Sequence, residues 1–183
     1  MGERYEIRLA GSGGQGLILA GLILAEAVVL YDGKNACQTQ SYGPEARGGA
    51  SKSEVIIDTQ EIDYPKVIAA DALLAMSQEA CDTYFHDLKR DGLLIVDSVH
   101  VHRVPTTRAY RVPITQIAEE TTGRRITANI VGLGLLAGLS GVVSREALEA
   151  AVAARAPRGT QEINLKALAA GFETAARLKK EEG

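Results

Sequence analysis

Six residues near the amino end, Gly11-Ser12-Gly13-Gly14-Gln15-Gly16, place glycines at the three fixed positions of a GxGxxG spacing. They follow a β-type run, Tyr5 to Ala10, and open an apolar run, Leu17 to Leu30, that reads as a buried helix. Glycines in that context permit a tight turn and close approach to the backbone, and the helix start offers unpaired N–H groups to an anion. Ser12 and Gln15 add polar side chains. The loop is a candidate phosphate or anion cradle. A dinucleotide site also asks for a carboxylate at the tip of the second strand to hold a ribose. Asp32 stands at the right sequence distance, but in the turn before that strand, and the tip reads Gln38-Thr39-Gln40. Nucleotide binding, another ligand and a plain tight turn all stay open for this loop.

A second candidate is the stretch Gln38 to Gly49, in which Ser41, Tyr42, Gly43, Pro44, Glu45, Arg47, Gly48 and Gly49 crowd together. Loops at the carboxyl ends of strands carry the binding surfaces of open α/β sheets. The competing reading is a turn-rich connection whose Glu45 and Arg47 are only solvated. His100 and His102, with Asp97 before them, have a spacing that an extended backbone could turn toward a metal. Such trios are common in surface loops, however, and no metal site is expected. His86 reads as a surface or capping group. Ser12 and Ser98 have no identifiable base, and Cys37 and Cys81 no activator. No catalytic residue is assigned.

The elements that must position these residues alternate. A strand at Tyr5 to Ala10, the helix from Leu17, a strand at Asn35 to Gln38 and a loop at Thr39 to Gly49 come first. Next come a strand at Ser51 to Ile57 and a short apolar run at Val67 to Ala70. A helical stretch runs from Asp71 through ALLAMSQEACDTYFHDL, followed by strands at Leu93 to Ser98 and Ala109 to Ile114. Helices at Ala128 to Leu139, Arg145 to Ala154 with Ser144 as N-cap, and Leu165 to Lys179 complete the chain. This order predicts an α/β fold with a mostly parallel sheet covered by helices on both faces, as one domain over residues 1–183. Gly134 and Gly138, one helical turn apart, predict close packing onto the rest of the domain or onto another subunit.

Composition narrows the function. The 183 residues carry 20 Lys and Arg against 23 Asp and Glu, a formal charge of −3, with 4% aromatics and no Trp. Nucleic-acid binding is disfavoured by that balance. Two distant cysteines cannot ligate an iron-sulfur cluster or a structural zinc. The apolar stretches Leu17 to Leu30 and Ala128 to Val143 are shorter than the ~20 residues a spanning helix needs, so no membrane role is expected. The polar start, Met1 to Glu6, lacks a charged-then-apolar signal, and the cytoplasm is the expected address, with both thiols reduced.

GSGGQG, TQSYGPEARGG, the stretch from Val67 to Met76, ANIVGLGLLAG and NLKALAAGF stand in one order over nearly the whole chain. Together they resemble the gamma subunit of the 2-oxoacid:ferredoxin oxidoreductases, most closely the small separate subunit of the 2-oxoglutarate type. The resemblance implies a three-layer Rossmann-like accessory subunit that is inactive alone. It implies a complex that oxidatively decarboxylates a 2-oxoacid with coenzyme A as co-substrate and passes electrons to ferredoxin; 2-oxoglutarate to succinyl-CoA is the leading case, beside the pyruvate, branched-chain and indolepyruvate complexes, and no residue selects the acid. The partners implied are alpha, beta and ferredoxin-like delta subunits, which hold thiamine diphosphate, Mg2+ and the iron-sulfur clusters. Gly11 to Gly16 and Ser41 to Gly49 would face those partners near the route of substrate or coenzyme A, and the isolated chain could self-associate through its orphaned interface. A free NAD- or FAD-binding oxidoreductase and a pure scaffold are the competing classes.

Overall fold

The computed structural model describes residues 3–42 and 50–183. Its centre is a six-stranded sheet of order β2-β3-β1-β4-β5-β6. The strands are β1 (Tyr5–Ser12), β2 (Asn35–Tyr42), β3 (Ala50–Asp58), β4 (Ala70–Ala75), β5 (Leu88–Asp97) and β6 (Ala109–Val112). β1, β4, β5 and β6 pair in parallel, whereas β3 runs antiparallel to both β1 and β2. All strands but β3 therefore point the same way, and the mostly parallel sheet is present with one reversed member.

Alternation along the central strands divides the core. Ile7 and Leu9 of β1, Ala72 and Leu74 of β4 and Ile95 of β5 face a large apolar cluster. That cluster is closed by α1 (Leu17–Glu26), α3 (Ile114–Thr122), α4 (Ala128–Ser140), α5 (Arg145–Arg155) and α6 (Gln161–Glu182). Ala10, Leu73, Ala75, Leu94 and Val96 face the other way, onto Ala80 and Cys81 of α2 (Gln78–Tyr84). Burial on both sides is why these strands read as continuous apolar runs. Arg8, on the α2 side of β1, is an exception with a 4% exposed side chain. It reaches Glu54 at 3.3 Å and Asp87 at 3.2 Å, over the Tyr84 ring at 5.1 Å.

Several sequence expectations are corrected. ALLA, expected to begin a helix after Asp71, is strand β4; a short apolar run has no periodicity to separate a strand from a buried helix. The helix begins only after Ser77, whose hydroxyl accepts from the Ala80 N–H. β2 extends to Tyr42, so Thr39 to Tyr42 belong to a strand rather than a loop. The run from Ala109 stops at Val112, because Pro113 and Ile114 open α3, a helix absent from the expected set. α1 ends at Glu26, and its last expected turn, Ala27–Tyr31, is a π-helical turn. Ser144 does cap α5, accepting from the Ala147 N–H at 3.1 Å.

Candidate functional site at the carboxyl ends of the parallel strands

The glycine loop leaves the carboxyl end of β1 and enters α1. Gly16 adopts φ +74°, a left-handed turn that favours glycine, and no side chain caps the helix behind it. The α1 N-terminus is thus free of any capping carboxylate. Gln15 locks the loop. Its Oε1 accepts from the Ser12 N–H at 2.7 Å, and its Nε2 donates to the Met76 carbonyl at 3.0 Å, joining the tips of β1 and β4. Behind the loop, the Asn129 side chain donates to the Gly16 carbonyl at 3.0 Å, tying the starts of α1 and α4 together. Gly13 and Gly14 stay exposed.

Beside this loop lies a cleft of about 420 Å3, lined by Gly14, Gln15, Met76, His100, Thr115, Arg125, Ile126 and Ala128. It sits over the carboxyl ends of β1, β4 and β5, with the starts of α3 and α4 at its wall, where open α/β sheets bind ligands. Arg125 brings a cation that is 58% exposed and held only loosely by Glu119, at 3.7 Å. An anionic group is the chemistry this wall favours. Ile126, 71% exposed, gives the rim an apolar contact. Met76, Thr115, Arg125 and Ile126 are not among the expected site residues, and His100 is weighed in the sequence only as a metal ligand. The turn before ANIVGLG, carrying Arg124 and Arg125, was the available signal.

Ser41 and Tyr42 lie exposed at the same end of the sheet, because Tyr42 pairs with Ser51, and Ser51 with Gly11 of β1. The two candidate stretches thus approach one edge. Gly43, Pro44, Glu45, Arg47, Gly48 and Gly49 fall outside the described residues.

The other candidates are occupied by structural work. Buried Asp97 accepts from the Thr115 hydroxyl at 2.5 Å and from the Thr115 N–H at 3.4 Å, capping α3. His100 and His102 line different clefts, so the two imidazoles and Asp97 do not converge. Cys81 is in the core, where burial pushes its thiol up and keeps it protonated. Gly134 packs against Leu168 and Gly171 of α6, so its missing side chain serves contact within the chain.

The dinucleotide reading fails on topology. β3 stands between β1 and β2, which moves the tip of β2 two strand spacings, about 10 Å, from the glycine loop. Asp32 accepts instead from the N–H of Ser144 at 2.7 Å and from its hydroxyl at 2.6 Å, at the start of α5. The molecule is a Rossmann-like α/β fold whose glycine loop is stitched to its own sheet and, among the described residues, has no ribose-holding carboxylate beside it.

Residues 6–174 match the model of the pyruvate ferredoxin/flavodoxin oxidoreductase family, and the chain belongs to that family. It is 51% identical over 179 residues to the 2-oxoglutarate synthase subunit KorC of Methanocaldococcus jannaschii, covering 96% of each chain. The keto/oxoacid ferredoxin oxidoreductase gamma subunit of Geobacter sulfurreducens superposes with a TM-score of 0.88 at 53% identity, over 95% of this chain and 97% of that one. The same fold occurs in the 2-oxoglutarate:ferredoxin oxidoreductase of Magnetococcus marinus, with TM-score 0.83 and 23% identity, covering 96% of this chain and 31% of that one.

Proposed function

We propose that this chain is the gamma subunit of a 2-oxoglutarate:ferredoxin oxidoreductase. The complex converts 2-oxoglutarate and coenzyme A to succinyl-CoA and carbon dioxide, and two electrons leave to ferredoxin. The observation that carries this reading is end-to-end likeness to a separate KorC subunit at 51% identity, with matched lengths. Alpha, beta and ferredoxin-like delta subunits are the partners. Among the described residues no three His, Cys, Asp or Glu side chains converge on a metal position. In this reading thiamine diphosphate, Mg2+ and the iron-sulfur clusters belong to the partner subunits. No described helix is long and apolar enough to cross a membrane. The cytoplasm is the proposed location.

Within that complex, the carboxyl-end surface at Gly11 to Gly16, Ser41 and Tyr42 faces the other subunits near the path of substrate or coenzyme A, and the stretch Gly43 to Gly49 is assigned the same role by its sequence. The exposed Gly13-Gly14 turn, Tyr42, and the Arg125 cleft support this placement. The test is an anoxic purification of the tagged chain from its native cells, with the partners identified by mass spectrometry and a panel of 2-oxoacids assayed with an electron acceptor. Co-purified thiamine- and cluster-bearing polypeptides with coenzyme A-dependent 2-oxoglutarate activity are expected. Recovery of the chain alone, inactive on every 2-oxoacid, would refute the reading. In the reconstituted complex, Arg47→Ala and Arg125→Ala should raise the KM for coenzyme A or 2-oxoglutarate; unchanged constants and turnover would remove the surface from the ligand path.

A further inference from the structure

A second, larger concavity is lined by none of the glycine-loop residues. Two adjoining clefts of about 760 Å3 and 640 Å3 share Phe85 and His86 and form one trough from the β5–β6 loop to the carboxyl end of α6. Its walls supply Lys89, Arg90, Arg103, Arg108 and Arg111. Against these stand three carboxylates, Asp82, Asp91 and Glu182, in a chain whose overall charge is −3.

Lys89 is held by Asp71 at 2.7 Å and Arg111 donates to the His102 carbonyl at 3.0 Å, whereas Arg90, Arg103 and Arg108 stay available. Arg103 and Arg108 are 81% and 71% exposed and meet Asp82 and Asp91 only at 3.6 and 3.5 Å, pairs of negligible strength in water. Arg90 has no ion-pair partner among the described residues. The Glu182 carboxylate beside Tyr110, together with burial, pushes the tyrosine up to about 12. Half-buried Phe85 and Val104, on the edge of the α2 cluster, give the trough an apolar floor. β6, at the end of the sheet, borders it with an unpaired strand edge.

We propose that this trough docks an extended acidic segment of a partner polypeptide. Charge complementarity selects the sign of the ligand. The strand edge and apolar floor suit a polypeptide. The inference does not depend on the role of the glycine loop.

Fluorescein-labelled poly-L-glutamate titrated into the full-length chain and followed by anisotropy tests it. The wild type should bind saturably and more weakly as salt rises, and Arg90→Glu/Arg108→Glu should weaken binding at least about tenfold. Lys166→Glu on α6, outside the trough, should leave binding unchanged. Equal binding by the double variant, an equal loss from Lys166→Glu, or equally tight binding of an oligothymidine of matched charge would overturn the proposal. A photo-cross-linking residue at Thr107 in the purified complex keeps the question decidable if the double variant misfolds. Capture of an acidic stretch of another polypeptide is expected; no adduct, or an adduct to a stretch without acidic excess, would overturn the proposal.

Discussion

A carboxamide at position 15 meets a requirement no other side chain of that size meets. It must accept a hydrogen bond from the Ser12 N–H and donate one to the Met76 carbonyl at the same time. Gln15→Leu preserves bulk and orphans both partly buried backbone groups, so a loss of about 1–3 kcal/mol is expected by urea denaturation. Gln15→Glu keeps the acceptor for Ser12 but turns a carboxylate toward the Met76 carbonyl, and it should recover little of that loss. Wild-type stability in the leucine variant would show that the clip does not hold the loop. A stable loop conformation is what the candidate surface requires, because Gly13 and Gly14 beside it have no side-chain contacts of their own.

Between elements, α4 and α6 pack backbone against backbone at Gly134 and Gly171. A Cβ on Gly171 would fall on the carbonyl oxygen of Val131, and one on Gly134 on the carbonyl oxygen of Leu168. Neither obstacle is a side chain that can rotate away. Gly171→Ala should therefore destabilise the fold by about 1–3 kcal/mol despite improving helix propensity, read as a drop in Tm. A second tie, between α1 and α5, is electrostatic: Arg155 donates to Glu26 at 2.9 Å. That hydrogen bond, opposed by partial burial and aided by the guanidinium charge, holds the Glu26 carboxyl below its ordinary value. A depressed folded-state value contributes stability above the unfolded value and loses it as pH falls through the folded one. The Tm difference between wild type and Arg155→Met should accordingly shrink between about pH 6 and pH 3; a constant difference would show that the pair is energetically silent. The elements legible in the sequence were those with local signals: the strand-loop-helix at Tyr5 to Leu17, the Ser144 cap and the apolar α4. β4 was hidden because its apolar run lacks periodicity, and the reversal of β3 because nothing in a strand's own residues encodes its neighbour. The glycine loop was readable as a spacing, whereas the opposite wall of its cleft, with Thr115 and Arg125, comes from segments a hundred residues later.

For the whole molecule, strand order decides which ligand class the glycine spacing can serve. In a dinucleotide site the second strand lies beside the first, so a carboxylate at its tip reaches the ribose while the helix start holds the pyrophosphate. Here the β2–β3 pair inserts a reversed strand at that position, and the acidic residue at the right sequence distance is spent on α5. The helix start remains electropositive, so a weak, salt-sensitive attraction for any phosphate survives, without the contacts that would select a nicotinamide or flavin dinucleotide. Titration of the isolated chain with NADH, followed by nucleotide fluorescence, should show no saturation below about 1 mM, a ceiling of roughly 4 kcal/mol. FAD should behave likewise. Stoichiometric micromolar binding of either would mean that a carboxylate elsewhere replaces the missing one, and would reopen the reading of the chain as a free oxidoreductase. A chain that binds neither dinucleotide but restores 2-oxoglutarate turnover to a complex lacking it would place its contribution in the assembled surface, as the shared sheet edge of the glycine loop and Tyr42 implies.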